Sequence, residues 1–241
     1  MNIGIVSQVR MTSTRLPGKV LQKIKGKSLL QYHVERLALS KLPIYIATTI
    51  NSQDDAIEDF CRNYSLPIFR GSELDVLSRY VGLIHRFNLD VVVRVTSDCP
   101  LIDGHIIAEA VQRYKDLGAD WRLYLTNCQK RTFPRGFDFE IVSAKALLYA
   151  DEHATEDYER EHVTPYVWKT RPDFFDIQHW VRAYDASKFR ITVDEPDDFR
   201  AVQELIEKHK ADHLGAEQII HLLEAHSEIY EINKHVEQKK V

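Results

Sequence analysis

The first half of the chain alternates short apolar runs with amphipathic segments. The apolar runs predict β-strands at Asn2–Val6, Pro43–Thr48, Pro67–Phe69, Val91–Val95 and Trp121–Thr126. The segments between them have helical periodicity near Leu29–Leu39, Asp54–Tyr64, Leu74–Phe87 and Ile106–Leu117. The β-branched run "DVVVRV" is typical of a strand that is covered on both faces. This alternation predicts βαβ units, and therefore an α/β fold with a parallel sheet between helices.

The pattern changes after about residue 127. The stretch "NCQKRTFPRGFDFEIVS" predicts a loop that leads into a strand, with helices to follow near Ala144–Ala150 and Glu156–Trp168. "DFFDIQHWV" alternates like a strand of a mixed or antiparallel sheet. "FRITV" predicts a last strand before "DEPDDFRAVQELIEKH", which has the proline and the early acidic residues of a helix N-terminus.

Length and composition narrow the class of protein. With 241 residues and 44% hydrophobic content, the chain can bury the core of one large domain. Its net charge of −4 argues against binding to nucleic acid or to an anionic membrane, and no apolar run approaches the roughly 20 residues that span a bilayer. Cys61, Cys99 and Cys128 are odd in number and widely spaced, which indicates free thiols. We therefore expect a soluble cytoplasmic protein.

A basic loop follows the first predicted strand. "QVRMTSTRLPGK" carries Arg10, Arg15 and Lys19 together with the turn-forming pair Pro17–Gly18. Open parallel sheets bind ligands at the carboxyl ends of their strands, where this loop begins. The forked donors of arginine and the compact charge of lysine suit a polyphosphate, although a solvated basic loop would have the same composition.

Two aspartates stand just past the ends of predicted strands. Asp98 follows "VRVTS", and Asp194 follows "FRITV". A carboxylate at the end of a strand can hold Mg²⁺, which prefers one or two carboxylates together with phosphate oxygens. The alternative for Asp98 is turn chemistry before the Cys-Pro pair. Asp197 and Asp198 have the positions of first-turn acids that interact with the dipole of the last predicted helix.

These stretches together resemble the cytidylyltransferase family that includes CMP-Kdo and CMP-sialic acid synthetases. Its Arg-x-x-Ser-x-Arg-Leu-Pro-Gly-Lys signature is matched here by Arg10, Ser13, Arg15, Leu16, Pro17, Gly18 and Lys19. The segments "FRGSELDVLSRY", "VRVTSDCPLID", "PRGFDFEIVSAKAL", "EREHVTPYVW" and "ITVDEPDDF" follow in the order of its branch for spore coat polysaccharide biosynthesis. The resemblance covers roughly residues 1–208.

The resemblance implies a fold and an organisation for the chain. The implied fold is Rossmann-like, of the nucleotide-diphospho-sugar transferase type, with a mostly parallel sheet flanked by helices. A single nucleotidyltransferase domain would span residues 1–241. It would contain a small mixed β/α subregion, about residues 130–182, for the acceptor and for dimerisation, and a C-terminal helical extension at residues 209–241. The aromatic residues of that subregion would either form a homodimer interface or fill the core of the monomer.

The resemblance also implies the roles of particular residues. The implied catalytic residues are Arg10, Arg15, Lys19 and Asp98, of which the three cations hold the triphosphate. The implied nucleotide-binding residues are Arg10, Ser13, Arg15, Gly18, Lys19, Ser72 and Asp75, the last two near the cytidine. Asp98 and Asp194 would bind the Mg²⁺ cofactor.

The implied activity is transfer of CMP from CTP to a small acceptor, with release of pyrophosphate. The acceptor would be a sugar acid or another anionic compound, such as a phosphorylated or phosphonate compound, used in surface polysaccharide or related biosynthesis. Sugar-acid synthetases usually have Gly before the metal aspartate, where this chain has Ser97, so the identity of the acceptor stays open. One alternative is a glycosyltransferase that uses nucleotide sugars, although "SDCP" lacks the usual Asp-x-Asp motif. A catalytically silent nucleotide-binding module is another.

Overall fold

A seven-stranded sheet forms the centre of the protein, and a computed structural model describes it over residues 1–238. Numbered along the chain, its strands lie in the order β5-β4-β1-β6-β8-β7-β9. The four strands of the first half pair in parallel, as their apolar pattern predicts: β1 (Ile3–Gln8), β4 (Ile44–Thr49), β5 (Ile68–Gly71) and β6 (Val91–Thr96). The predicted mostly parallel sheet is therefore confirmed.

The second half of the chain makes the sheet mixed. β8 (Glu140–Ser143) runs antiparallel to both β6 and β7 (Leu123–Thr126), and β9 (Asp176–His179) pairs in parallel with β7 at the edge. A separate two-stranded ribbon, β2 (Lys23–Ile24) and β3 (Lys27–Ser28), follows the basic loop. The change of rhythm after residue 127 thus corresponds to a change in strand direction.

Helices cover both faces of the sheet because successive strand residues point to opposite sides. On one face, Ile5 and Val93 pack with residues of α1 (Leu29–Ala38), α2 (Asp55–Asn63) and α4 (Gly104–Asp116). On the other face, Val6 and Val92 pack with the remaining central helices. These are α3 (Val76–Phe87), α5 (Ala144–His153) and the region of α6 (Asp157–His162). The helices and strands predicted for the first half are confirmed to within two residues at each end.

A third apolar cluster joins the C-terminal helices to the rest of the chain. α7 (Pro196–His209), α8 (Ala216–Ala225) and α9 (Ser227–Asn233) bury their apolar faces together with Phe133 and Phe137. The predicted extension at 209–241 therefore packs on α7, as far as residue 238. Within residues 1–238, no helix is both long enough and apolar enough to cross a membrane.

The predicted strand "FRITV" is wrong, because this segment adds no strand to the sheet. Its backbone makes a single bridge, Arg190 to Arg135, and the amide of Val193 donates to the carbonyl of Asp98 at 2.8 Å. Both partners lie in loops that follow strands. The segment has the alternation of a strand because Phe189, Ile191 and Val193 are buried. Its backbone, however, hydrogen-bonds to residues in loops.

The helix predicted at Glu156–Trp168 is interrupted. α6 ends at His162, Val163 takes a positive φ of 73°, and a π-helical turn covers Tyr166–Thr170. Pro165 explains the break, since it has no N–H to donate and it disfavours helical backbone at the residue before it. The chain therefore bends directly after Glu161 and His162.

The aromatic side chains near residue 174 contact the core of their own monomer. Phe174 and Phe175 pack at ring-centroid distances of 5.7 and 6.2 Å from Trp121, and Tyr149 stacks on Phe174 at 5.2 Å. Phe175 is buried within this group. These contacts correspond to the alternative in which the aromatics of the subregion fill the core.

Gly104, the first residue of α4, provides a test of how tightly the layer beside the sheet is packed. A Cβ atom there would lie 2.6 Å from the carbonyl oxygen of Arg36 and 2.7 Å from the amide of Ser40, both backbone atoms of the α1 end. We expect Gly104→Ala to lower the free energy of unfolding by about 1–3 kcal/mol, because the two helices must separate. Urea denaturation would measure this loss.

Gly215, directly before α8, offers a matched control. A Cβ atom there would have its nearest neighbours at 3.6 and 3.7 Å, which is ordinary van der Waals contact. Gly215→Ala should therefore change the free energy of unfolding by less than about 1 kcal/mol. Equal losses in both variants would contradict the close helix contact at Gly104.

Candidate active site

The basic loop after β1 closes on itself. Gly18 has a left-handed φ of 67°, and its amide donates to the carbonyl of Met11 at 2.9 Å. The amide of Met11 in turn donates to Asp54 Oδ1 at 2.7 Å, which fixes the loop to the end of β4. The glycine predicted for a tight turn is thus where a left-handed residue is required.

A cavity of about 550 Å³ opens at the carboxyl ends of β1 and β6. The predicted site residues that line it are Arg10, Ser13, Arg15, Lys19, Asp98 and Asp194. Gly18 does not line the cavity and serves the turn of the loop. The residues from the basic loop and both aspartates are therefore brought to one place.

Lys19 connects the two aspartates. Its ammonium lies 2.9 Å from Asp194 Oδ1 and 3.7 Å from Asp98 Oδ2, and it also donates to the carbonyl of Val193 at 2.6 Å. The two carboxylates are therefore not left to repel one another. A cation of the chain itself already lies between them.

Asp194 is the most heavily paired carboxylate of the site. Besides Lys19, Arg15 lies 3.0 Å and Arg190 2.7 Å from Asp194 Oδ2. Burial alone would raise the pKa of Asp194, but the charges of Lys19, Arg15 and Arg190 hold that pKa below its usual value. Asp194 is therefore ionised at neutral pH and is structural as well as a candidate ligand.

Asp198 stabilises the network of charges around Asp194. It is fully buried, accepts hydrogen bonds from the amides of Asp194 and Glu195 at 2.9 and 3.2 Å, and pairs with Arg190 at 2.8 Å. Asn233 on α9 donates to Asp198 Oδ1 at 2.9 Å. The interpretation of Asp198 as only a first-turn acid is therefore too weak, because it also fixes the backbone of Asp194.

His33 links the loop after Asp98 to the first strand. Its ring nitrogens lie 2.9 Å from Ser7 Oγ on β1 and 2.9 Å from the carbonyl oxygen of Cys99. Complete burial lowers the pKa of His33 to about 4, so the ring is neutral at physiological pH. This pair of hydrogen bonds fixes the backbone next to Asp98.

Ser72 and Asp75 lie outside the cavity. Asp75 caps α3 by accepting from the amide of Ser78 at 3.0 Å, and it pairs with Arg160 at 2.7 Å. Ser72 Oγ accepts from the amide of Asp75 at 3.1 Å. Their hydrogen bonds serve the start of α3, and their contact with a cytidine remains a prediction.

The cavity also contains residues that the motifs did not single out. These are Arg79, Arg135, Asp138, Glu161 and His162 among others. Within residues 1–238, the guanidinium of Arg135 makes no hydrogen bond or ion pair, whereas Asp138 pairs with Arg131. Burial lowers the pKa of His162, which favours its neutral imidazole at neutral pH. In the sequence, the signal available for Glu161 and His162 was the segment "EREHVTPYVW", in which Pro165 ends the helix just after them.

The similarity to known proteins agrees with this geometry. The family model described as cytidylyltransferase matches residues 3–240. The spore coat polysaccharide biosynthesis protein SpsF of Bacillus subtilis is 32% identical over 216 residues, covering 86% of this chain and 87% of its own. The match to residue 240 also corrects the narrower extent, residues 1–208, that was assigned from motifs.

Solved structures give the same result for the fold. A cytidylyltransferase from Leptospira borgpetersenii superposes with a TM-score of 0.90 at 32% identity, covering all of both chains. A CMP-2-keto-3-deoxy-manno-octonic acid synthetase in complex with CTP superposes with a TM-score of 0.63 at 18% identity, over 87% of this chain and all of its own. The family model over nearly the whole chain and these neighbours identify the protein as a member of the cytidylyltransferase family, an enzyme family of CTP-dependent nucleotidyltransferases.

Proposed function

We propose that the protein transfers CMP from CTP to an anionic acceptor and releases pyrophosphate, in the biosynthesis of a surface polysaccharide or a related glycoconjugate. The observation that carries the proposal is the cavity in which a cationic loop meets two carboxylates at the carboxyl edge of a parallel sheet. SpsF, the relative named for spore coat polysaccharide biosynthesis, supports the pathway class.

The reaction we propose is an in-line displacement at the α-phosphorus of CTP. An acceptor oxygen forms the new bond to phosphorus, the bond to the bridging oxygen breaks, and pyrophosphate leaves. Arg10, Arg15 and Lys19 neutralise the negative charge of the triphosphate, and Ser13 shapes the loop that carries them. Catalysis of this kind comes mainly from positioning and electrostatic stabilisation.

Asp98 and Asp194 are the residues that would hold Mg²⁺. Hard carboxylate oxygens at one point of the cavity fit this ion, which takes one or two carboxylates and completes its shell with phosphate oxygens. When bound, Mg²⁺ neutralises charge that develops on the phosphate oxygens. The ammonium of Lys19 contacts both carboxylates, and it can also turn toward the phosphates of CTP.

The acceptor side of the cavity supports an anionic acceptor. Arg135, from the 130–182 subregion, lines the cavity with no partner for its guanidinium among residues 1–238. His162 contributes a neutral ring on the wall formed by α6. A carboxylate, phosphate or phosphonate group of the acceptor would satisfy Arg135 in the geometry that a guanidinium prefers.

We also propose a homodimer that forms through the 130–182 subregion. β9 lies at the edge of the sheet, where no strand within residues 1–238 pairs with its outer side, and Val181, two residues after β9, is 44% exposed. We expect light scattering at micromolar concentration to give twice the mass of the chain. A monomeric mass would reject this assembly and leave the proposed chemistry untouched.

CTP should stabilise the folded protein more than UTP, ATP or GTP does when Mg²⁺ is present. A ligand that binds only the native state raises the melting temperature according to its concentration relative to Kd. Differential scanning fluorimetry with each nucleotide at the same concentration measures the difference. Equal shifts with all four nucleotides would reject selectivity for CTP.

Replacement of Asp98 by asparagine should abolish most turnover and leave the fold intact. Among residues 1–238, the carboxylate of Asp98 has only the long 3.7 Å contact to Lys19 and a weak contact from Cys99 Sγ at 3.4 Å, so its charge contributes little to stability. We expect at least a roughly 100-fold fall in kcat, because the variant loses charge stabilisation in the transition state. Pyrophosphate release from CTP, with a panel of sugar acids and phosphorylated acceptors, measures this.

Asp116→Asn is the matched control, because Asp116 is an exposed carboxylate at the end of α4, where it accepts from Gln112. It should keep both its melting temperature and its turnover. Near-normal turnover of Asp98→Asn at saturating CTP and Mg²⁺ would contradict the proposed mechanism. Pyrophosphate release by the unchanged protein that needs no acceptor would point instead to simple hydrolysis.

A further inference from the structure

Arg79 is a buried arginine whose guanidinium makes no hydrogen bond and no close ion pair in the described part of the chain. It lies in the second turn of α3, is 2% exposed, and forms part of the cavity wall. Its Nε and Nη1 atoms are buried and have no hydrogen-bond partner. Burial lowers the pKa of Arg79 and the nearby charge of Arg10 lowers it further, while the charges of Asp54 and Glu73 offset this only in part. A buried cation without a partner lowers the free energy of unfolding, so this arrangement requires an explanation.

Arg36 shows how the same fold satisfies a buried arginine that has a purely structural role. It is 4% exposed, and its guanidinium donates to the carbonyls of Ile102 at 2.8 Å and Leu214 at 2.7 Å. A longer bond reaches the carbonyl of Leu101 at 3.3 Å. Arg36 therefore has backbone acceptors on several sides, and Arg79 has none.

The stem of Arg79 is held in place by packing. A Cβ atom on Gly71, the last residue of β5, would lie 2.9 Å from Arg79 Cγ, so the strand packs closely on the side chain. Long basic side chains usually extend their charged ends into bulk water. Here the packing holds the side chain in the wall of the cavity instead.

The other cations near the basic loop are already paired to different degrees. Arg15 and Lys19 contact Asp194 at 3.0 and 2.9 Å. Arg10 has only Glu73 at 3.7 Å, and Glu73 also accepts from Thr12. The uncompensated positive charge on the α3 side of the cavity is therefore concentrated on Arg79 and Arg10.

We propose that Arg79 binds a phosphate of the CTP triphosphate, together with Arg10. This inference rests on the proposed function, since it takes CTP as the substrate. Two neighbouring guanidinium groups repel one another, and a phosphate between them relieves that repulsion and supplies the missing acceptors. The acceptor is assigned to Arg135, another cation that lines the cavity.

The test compares affinity and stability in three variants. Arg79→Met keeps the length of the side chain and removes its charge, and Arg79→Lys keeps a charge without the fork. Arg36→Met is the matched control, another buried arginine that lies outside the cavity. For each variant, calorimetry gives the Kd of CTP, NMR titration gives the affinity for cytidine, and thermal unfolding gives the melting temperature without ligand.

We expect Arg79→Met to raise the melting temperature of the ligand-free protein and to weaken CTP about 10-fold or more, because a charged hydrogen bond to phosphate is lost. Its affinity for cytidine should be unchanged, since cytidine has no phosphate. Arg79→Lys should bind CTP with intermediate affinity. Arg36→Met should lower the melting temperature, because carbonyls lose their donor, and should bind CTP like the unchanged protein.

Three results would overturn the inference. An unchanged Kd for CTP in Arg79→Met would remove the phosphate contact. An equal loss of affinity for CTP and cytidine would assign Arg79 to the nucleoside. A lower melting temperature in Arg79→Met, as in Arg36→Met, would make Arg79 a structural residue. If the unchanged protein itself fails to bind CTP, the proposed function is wrong, and that failure is distinct from the other three.

Discussion

The contact on which the site depends is the ammonium of Lys19 between two carboxylates. Lys19 comes from the loop after β1, Asp98 from the end of β6, and Asp194 from the segment before α7. A charge pair that is shielded from water interacts more strongly than one on the surface, so this contact can fix three separate stretches of backbone. It also balances part of the charge of the site without ligand, because Arg15 and Lys19 both have carboxylate partners.

The charged side chains of the cavity are not all paired, and this difference affects how an anion can bind. At the centre, Asp194 and Asp198 share Arg190, and α9 contributes Asn233 to the same network. On either side, Arg79 and Arg135 lack partners in the described residues. A large anion that binds here therefore has to compete with the ion pairs of Asp194. Arg79 and Arg135 have no ion pair to lose within residues 1–238.

The part of the site that could be predicted from the sequence is the part that local pattern determines. A buried strand followed by a loop with the family signature identified Arg10, Arg15 and Lys19, and the rule for parallel sheets brought Asp98 to the same edge. "FRITV" was mistaken for a strand because alternation reports which side chains are buried and does not report which backbone groups pair. Asp194 nevertheless lies near Asp98, because the amide of Val193 donates to the carbonyl of Asp98 and not because the segment is a strand of the sheet.

What could not be predicted depends on contacts between distant parts of the chain. The sequence "DVLSRY" does not reveal whether its arginine meets acceptors, since the neighbours of Arg79 come from β5 and from the loop after β1. Asp198 has the position of an ordinary helix-start acid, and only the fold brings Arg190 and Asn233 to it. The charge state of a buried group is thus a property of the assembled structure.

The segment before α7 has a further consequence for how the protein is made. Lys19 and Asp194 are 175 positions apart, and Asp194 and Glu195 are two of the three carboxylates that contact Lys19 and Arg15. A ribosome finishes β6 long before it reaches Asp194. During that interval Lys19 can make its contact with Asp98, but the contacts of Lys19 and Arg15 with Asp194 and Glu195 cannot form, and closing such a large loop carries an entropic cost. This edge of the cavity is therefore completed only once Asp194 has been made, well after the parallel strands that support it.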